Sequence, residues 1–106
     1  MSVLESDKID GVAVSGEDKV LNLLITDHLD FKDEYNHLLT LQEKINAYLG
    51  FIEAEQYREI YPNSDIERVI IEIHFKHKIT DNCRKFIKTV NNQIGEINTT
   101  CIIVEN

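Results

Sequence analysis

Cysteine is scarce in this chain. Cys83 and Cys101 are the only two, too few for the disulfide framework of a small secreted domain, and neither stands in a Cys-x-x-Cys or Cys-His metal spacing. Both read as free thiols. Proline occurs once, at Pro62, and with Asn63-Ser64-Asp65 it marks the one strong internal break. Glycine-rich phosphate loops are missing, since Gly11 and Gly16 stand alone. The amino terminus lacks a basic start followed by an apolar run, and the longest aliphatic runs are only a few residues. No export signal or membrane span is therefore expected, and the cytoplasm is the expected compartment.

Positive charge is also short. Eleven Lys and Arg face 19 Asp and Glu, for a net charge of −8 and a pI near 4.8. Nucleic acids and anionic lipid surfaces are held by clustered cations, so neither is an expected partner. The charge is polarised: residues 1–65 carry 14 acids and five bases, whereas residues 66–106 carry five acids and six bases. An acidic half of this kind steers a protein toward basic surfaces.

What is present suits one globular unit. At 106 residues the chain has the length of a single domain, 1–106. Lys8 to Ser15 reads as a short strand, Ser15-Gly16-Glu17-Asp18 as a turn, and Lys19 to Thr26 as a second strand completing a β-hairpin. Asp33 then caps a long helix reaching about Gln56, with Leu38, Leu41, Ile45, Tyr48, Leu49 and Ile52 along one stripe. Glu34, Glu43, Lys44 and Glu53 fall off that stripe and read as solvated. Gly50 costs about 1 kcal/mol against alanine there, and marks either a close helix contact or a weak point.

Beyond Pro62, Val69, Ile71, Ile73 and Phe75 alternate with Ile70, Glu72, His74 and Lys76, the period of a half-buried strand. Thr80 caps a second helix with Cys83, Phe86, Ile87, Val90 and Ile94 inward, and Thr99–Val104 is a closing β-branched strand. The order ββαβαβ predicts an α+β two-layer sandwich, a four-stranded sheet with two helices on one face. The other face would show Val20, Leu24, Ile70 and Ile102 among Asn22, Glu72, His74 and Lys76.

Three groupings invite chemistry. His74 and His77 near Cys83 resemble a Cys-His pair, but residues three apart on a strand point to opposite faces, and Cys83 shares a stripe with Phe86 and Ile87. Asp27, Asp30, Asp33 and Glu34 offer oxygens to a hard cation without the spacing of a calcium loop, so helix capping and a solvated acidic loop explain them better. Lys76, Lys78, Arg84, Lys85 and Lys88 gather too sparsely for a phosphate site and read as a solvated face. No catalytic residue, metal or cofactor is expected.

Two stretches, Ile25-Thr-Asp-His-Leu-Asp-Phe31 and Leu38-Leu-Thr-Leu-Gln-Glu-Lys-Ile-Asn-Ala-Tyr-Leu-Gly-Phe-Ile-Glu53 with Tyr61-Pro62 downstream, together resemble a family of small stand-alone bacterial proteins known only as a domain of unknown function. The resemblance runs from the hairpin to the Pro62 turn. It implies a bacterial cytoplasmic protein, with Asp27, His28, Leu29, Gln42, Lys44, Asn46 and Tyr48 as matching positions, and assigns none of them a catalytic role. Gln42 and Asn46 are four apart on one helix face. They predict either a buried polar link that fixes the acidic loop through His28, or a recognition surface of Asp27, His28, Asp30 and Phe31 beside the helix.

These readings predict a non-enzymatic binding module. Asp27, His28, Asp30, Asp33 and an exposed Phe31 would contact a basic protein partner, in the manner of an immunity protein that neutralises a cationic toxin. The alternative is a structural homodimer through Leu24, Ile70, Glu72 and His74, with an enzyme or metal protein as a third reading.

Overall fold

The computed structural model describes residues 2–16 and 19–105. Strands β1 (Gly11–Ser15), β2 (Val20–Asp27), β3 (Arg68–Phe75) and β4 (Thr99–Glu105) alternate with helices α1 (Glu34–Glu53), after β2, and α2 (Asp81–Ile94), after β3. The fold is the α+β arrangement the sequence predicts, in the order ββαβαβ. The sheet runs β1-β2-β3-β4, with β1 antiparallel to β2 and the pairs β2–β3 and β3–β4 parallel. A short turn can only join antiparallel neighbours, while a helical connection returns the chain in parallel. Both crossovers move the same way across the sheet, so their usual right-handed sense places both helices on one face.

Local chemistry sets the boundaries. Asp33 caps α1 by accepting from the Asn36 amide, and Thr80 caps α2 by accepting from the Cys83 amide at 3.1 Å. The first strand starts at Gly11 rather than Lys8, because residues 2–10 form a separate strap described below. Gly16 takes φ +59 at the hairpin turn, the left-handed region where glycine is least strained, whereas Glu17 and Asp18 of that turn lie outside the described residues. Helix α1 stops at Glu53 instead of Gln56, since Glu55 at φ 54 turns the chain into a 3-10 turn over Gln56–Glu59. Gly50 marks no close helix contact: a Cβ there would meet nothing within 4 Å.

The core lies between the sheet and the helices. Leu21, Leu23 and Ile25 of β2, Val69, Ile71, Ile73 and Phe75 of β3, and Cys101 of β4 are buried on one face. They pack against Leu41, Ile45, Tyr48 and Ile52 of α1 and Cys83, Ile87 and Ile94 of α2. Each fully buried aliphatic side chain of this size contributes about 1.5–3 kcal/mol. The other face is left open, and pairing places Leu24 beside Glu72 and Glu72 beside Ile102, while Ile70 sits between Asn22 and Thr100. Apolar residues there are interleaved with polar ones.

Candidate functional site

Two buried charged clusters flank the start and middle of α1. The first sits at the carboxyl end of β2, where open sheets of parallel strands commonly offer sites. Asp27, the last residue of β2, accepts from the Leu29 amide at 3.1 Å with one oxygen, and its other oxygen lies 2.6 Å from His37 Nε2. His37 Nδ1 is 2.9 Å from the Asp30 carbonyl oxygen. A carbonyl can only accept, so Nδ1 donates to it; an ionised Asp27 likewise requires a proton on Nε2. The ring that fits this site is imidazolium. Burial alone would lower the His37 pKa, but the hydrogen bond and charge of Asp27, with the carbonyl and charge of Asp30, outweigh it and leave the pKa raised. Phe31 stacks on the ring with centroids 4.3 Å apart.

This arrangement is a lock. Both ring nitrogens are engaged, so neither offers a lone pair to a substrate. What the pair does is tie loop 28–33 to the first turns of α1.

The second cluster surrounds Lys44, whose side chain is 0% exposed. Its ammonium donates to the carbonyl oxygens of Glu5 at 2.6 Å and Lys8 at 2.5 Å, and to Asp10 Oδ1 at 2.9 Å. Asp10 Oδ2 accepts from the Thr26 amide at 2.9 Å. The Tyr48 hydroxyl donates to the Leu24 carbonyl at 2.5 Å and accepts from the Asp10 amide at 2.8 Å. Burial pushes that phenol well above its ordinary pKa. Val3, fully buried, donates its amide to the Thr26 carbonyl. Residues 2–10 thus form a strap that extends the edge of β2 and is clasped by α1.

These positions correct several sequence expectations. Lys44 is not solvated; it lies three residues after Leu41 and four before Tyr48, on the buried stripe itself. The polar link between loop and helix exists, but it is made by Asp27 and His37, while His28, Gln42 and Asn46 are exposed. Of the acidic-loop residues, Asp27 is buried and Phe31 is half-buried rather than exposed; His28, Asp30 and Asp33 face solvent. The signal for His37 was its place four residues before Leu41, and it was missed because stripes are read from apolar residues.

Around the lock lies a shallow cleft of about 380 Å³ lined by His28, Leu29, Asp30, Asp33, Asn36, His37, Thr40 and His77. Among the described residues, no group of three or more His, Cys, Asp or Glu side chains could hold a metal ion. Cys83 and Cys101 are buried, and desolvation pushes each thiol up to about 12. His74 stands on the open sheet face with Glu72 3.5 Å away, so it and Cys83 lie on opposite sides of the sheet. Leu24, Ile70, Glu72 and His74 do share that open face, beside a depression of about 390 Å³ that includes Gly11 and Asn22.

The outer face of α1 carries a feature the apolar stripe does not predict. Tyr35 is 73% and Leu39 40% exposed, one turn apart. With Leu38, Gln42 and Phe86 they line a shallow groove between the helices. Glu34 accepts from the Asn82 side chain at 2.9 Å, latching the two helix N-termini together at this end.

A model for a family of unknown function (DUF6572) matches residues 1–104. The likeness read from the hairpin to the Pro62 turn therefore extends over nearly the whole chain. No curated protein and no solved structure matches it. Among the described residues, no helix is long and apolar enough to cross a membrane.

Proposed function

We propose that this chain, which belongs to the DUF6572 family, is a non-enzymatic protein-binding module that meets a basic partner on the outer face of α1. The observation that carries this reading is the pair Tyr35 and Leu39, exposed in an apolar groove between the helices, while the exposed Asp30 and Asp33 line the separate cleft at the start of α1. Exposed aromatics in a groove are the usual energetic anchors of interfaces, and surrounding charge selects and steers the partner. The net charge of −8, with 14 acids among residues 1–65, favours a basic surface. Support for a non-catalytic role comes from the full engagement of His37 and the burial of both thiols.

The test is affinity capture from the native cells at low and moderate salt, comparing the wild type with two variants. A basic protein held in stoichiometric amount should bind the Tyr35→Ala, Leu39→Ala double variant at least ~30-fold more weakly, as loss of an anchor implies. Asp30→Lys with Asp33→Asn, which keeps the helix cap, should flatten the salt dependence. Equal capture by all three proteins defeats the proposal.

A homodimer through the open sheet face is the second reading, favoured by the apolar depression there and by Ile102 at 42% exposure. It predicts that Ile70→Asp converts a dimer to monomers in sedimentation equilibrium. A wild-type monomer at high concentration would rule it out.

A further inference from the structure

We propose that Asn91 closes the outer edge of β4 against a second copy of this chain. Strand β4 reads Thr99-Thr-Cys-Ile-Ile-Val-Glu105, a β-branched run with no proline and one charge, the composition most prone to add another strand. It is an edge strand, paired with β3 on one side only.

The ladder shows which groups that edge presents. Val69 donates to the Asn98 carbonyl at 2.9 Å, so the even-numbered residues of β4 direct their N–H and C=O groups toward β3. The odd-numbered residues direct theirs outward. At Cys101 those outward groups are both taken by one side chain: the amide donates to Asn91 Oδ1 at 2.7 Å, and the carbonyl accepts from Asn91 Nδ2 at 3.1 Å. A neighbouring strand would supply the same donor and acceptor. The Asn91 carboxamide therefore stands where that strand would run.

The rest of the α2 flank extends the guard. Arg84 is paired with Glu105 at the far end of β4. Lys88 falls between Arg84 and Asn91 at helical spacing, on the same flank of α2, and is exposed. A cation over an edge opposes pairing by a like edge. The occupant excluded is the β4 of a second copy, because two such strands meeting antiparallel about a two-fold axis form a self-complementary contact.

Sedimentation velocity on the full chain tests this, with the fold checked by near-ultraviolet circular dichroism. Asn91→Ala should self-associate at least ten-fold more tightly than the wild type. Asn91→Asp, which keeps an acceptor for the Cys101 amide and adds a charge, should not. Adding Ile103→Pro to Asn91→Ala should restore wild-type behaviour, since that proline removes an outward N–H and leaves the β3 ladder intact. If the alanine variant does not hold the fold, Asn91→Ser takes its place, and Ile103 amide exchange should slow as its concentration rises. Association no tighter than the wild type, or association that Ile103→Pro leaves unchanged in a folded variant, overturns the proposal.

Discussion

Replacing Lys44 by methionine is expected to lower the unfolding free energy by about 3–5 kcal/mol, the usual cost of leaving one partner of a buried ion pair alone. Methionine follows the lysine chain as far as Cε and fills most of its channel, so little of the loss comes from packing. The loss comes from Asp10, which stays buried without its cation, and from the Glu5 and Lys8 carbonyls, which lose their donor. Because those groups belong to the strap, the variant should also release residues 2–10. Amide exchange at Val3 should accelerate far more than exchange in β3. Urea titration and exchange together check this. A change below about 1 kcal/mol would mean that the desolvation of Lys44 already cancels its contacts. Asp10→Asn in the Lys44→Met background should recover part of the loss, since a neutral amide is cheaper to bury than an unpaired carboxylate.

His37→Ala is expected to cost a similar amount, about 3–5 kcal/mol near pH 6, because it strands the buried Asp27 carboxylate. This loss should depend on pH. The folded state raises the His37 pKa above its ordinary value of 6.5, so below that value the imidazolium is present in both states and its full contribution is felt. As pH rises, the unfolded chain loses the proton first, and the contribution is lost as pH passes through the raised folded pKa. The gap between wild type and variant should therefore be widest at mildly acidic pH and narrow toward alkaline pH. Denaturant titrations from about pH 6 to 9 read it directly. A gap that stays constant across this range would mean that His37 binds no extra proton on folding, and would overturn this prediction.

Both predictions concern residues that sequence patterning handled poorly. Leu41, Ile45, Tyr48 and Ile52 were legible as a stripe because each is apolar and the helical period links them. His37 and Lys44 occupy the same stripe, but a polar residue at an inward position reads as outward unless its partner is known. Those partners are remote along the chain: Asp27 lies ten residues from His37, and Asp10 lies 34 from Lys44. The acidic loop shows the reverse error. Asp27 and Asp30 look alike in sequence, yet the end of β2 turns one carboxylate inward onto the helix and leaves the other in water.

The groove at Tyr35 and Leu39 was hidden for a different reason. Two apolar residues off the main stripe look like ordinary surface scatter until Phe86 arrives beside them from α2. Asn91 was likewise unremarkable in sequence, and its role at the β4 edge depends on how α2 lies across that strand.

By itself the sequence determined the element order, the two helix caps, the alternating core of β3 and the acidic character of the first half. These follow from local hydrogen bonding, hydrophobic periodicity and charge counting, which need no knowledge of distant neighbours. Only the tertiary structure decided the strand order, the groove between the helices, and which charges are buried. A buried charge persists only where a partner from elsewhere in the chain compensates its desolvation, and that partner is defined by the packing of the whole fold.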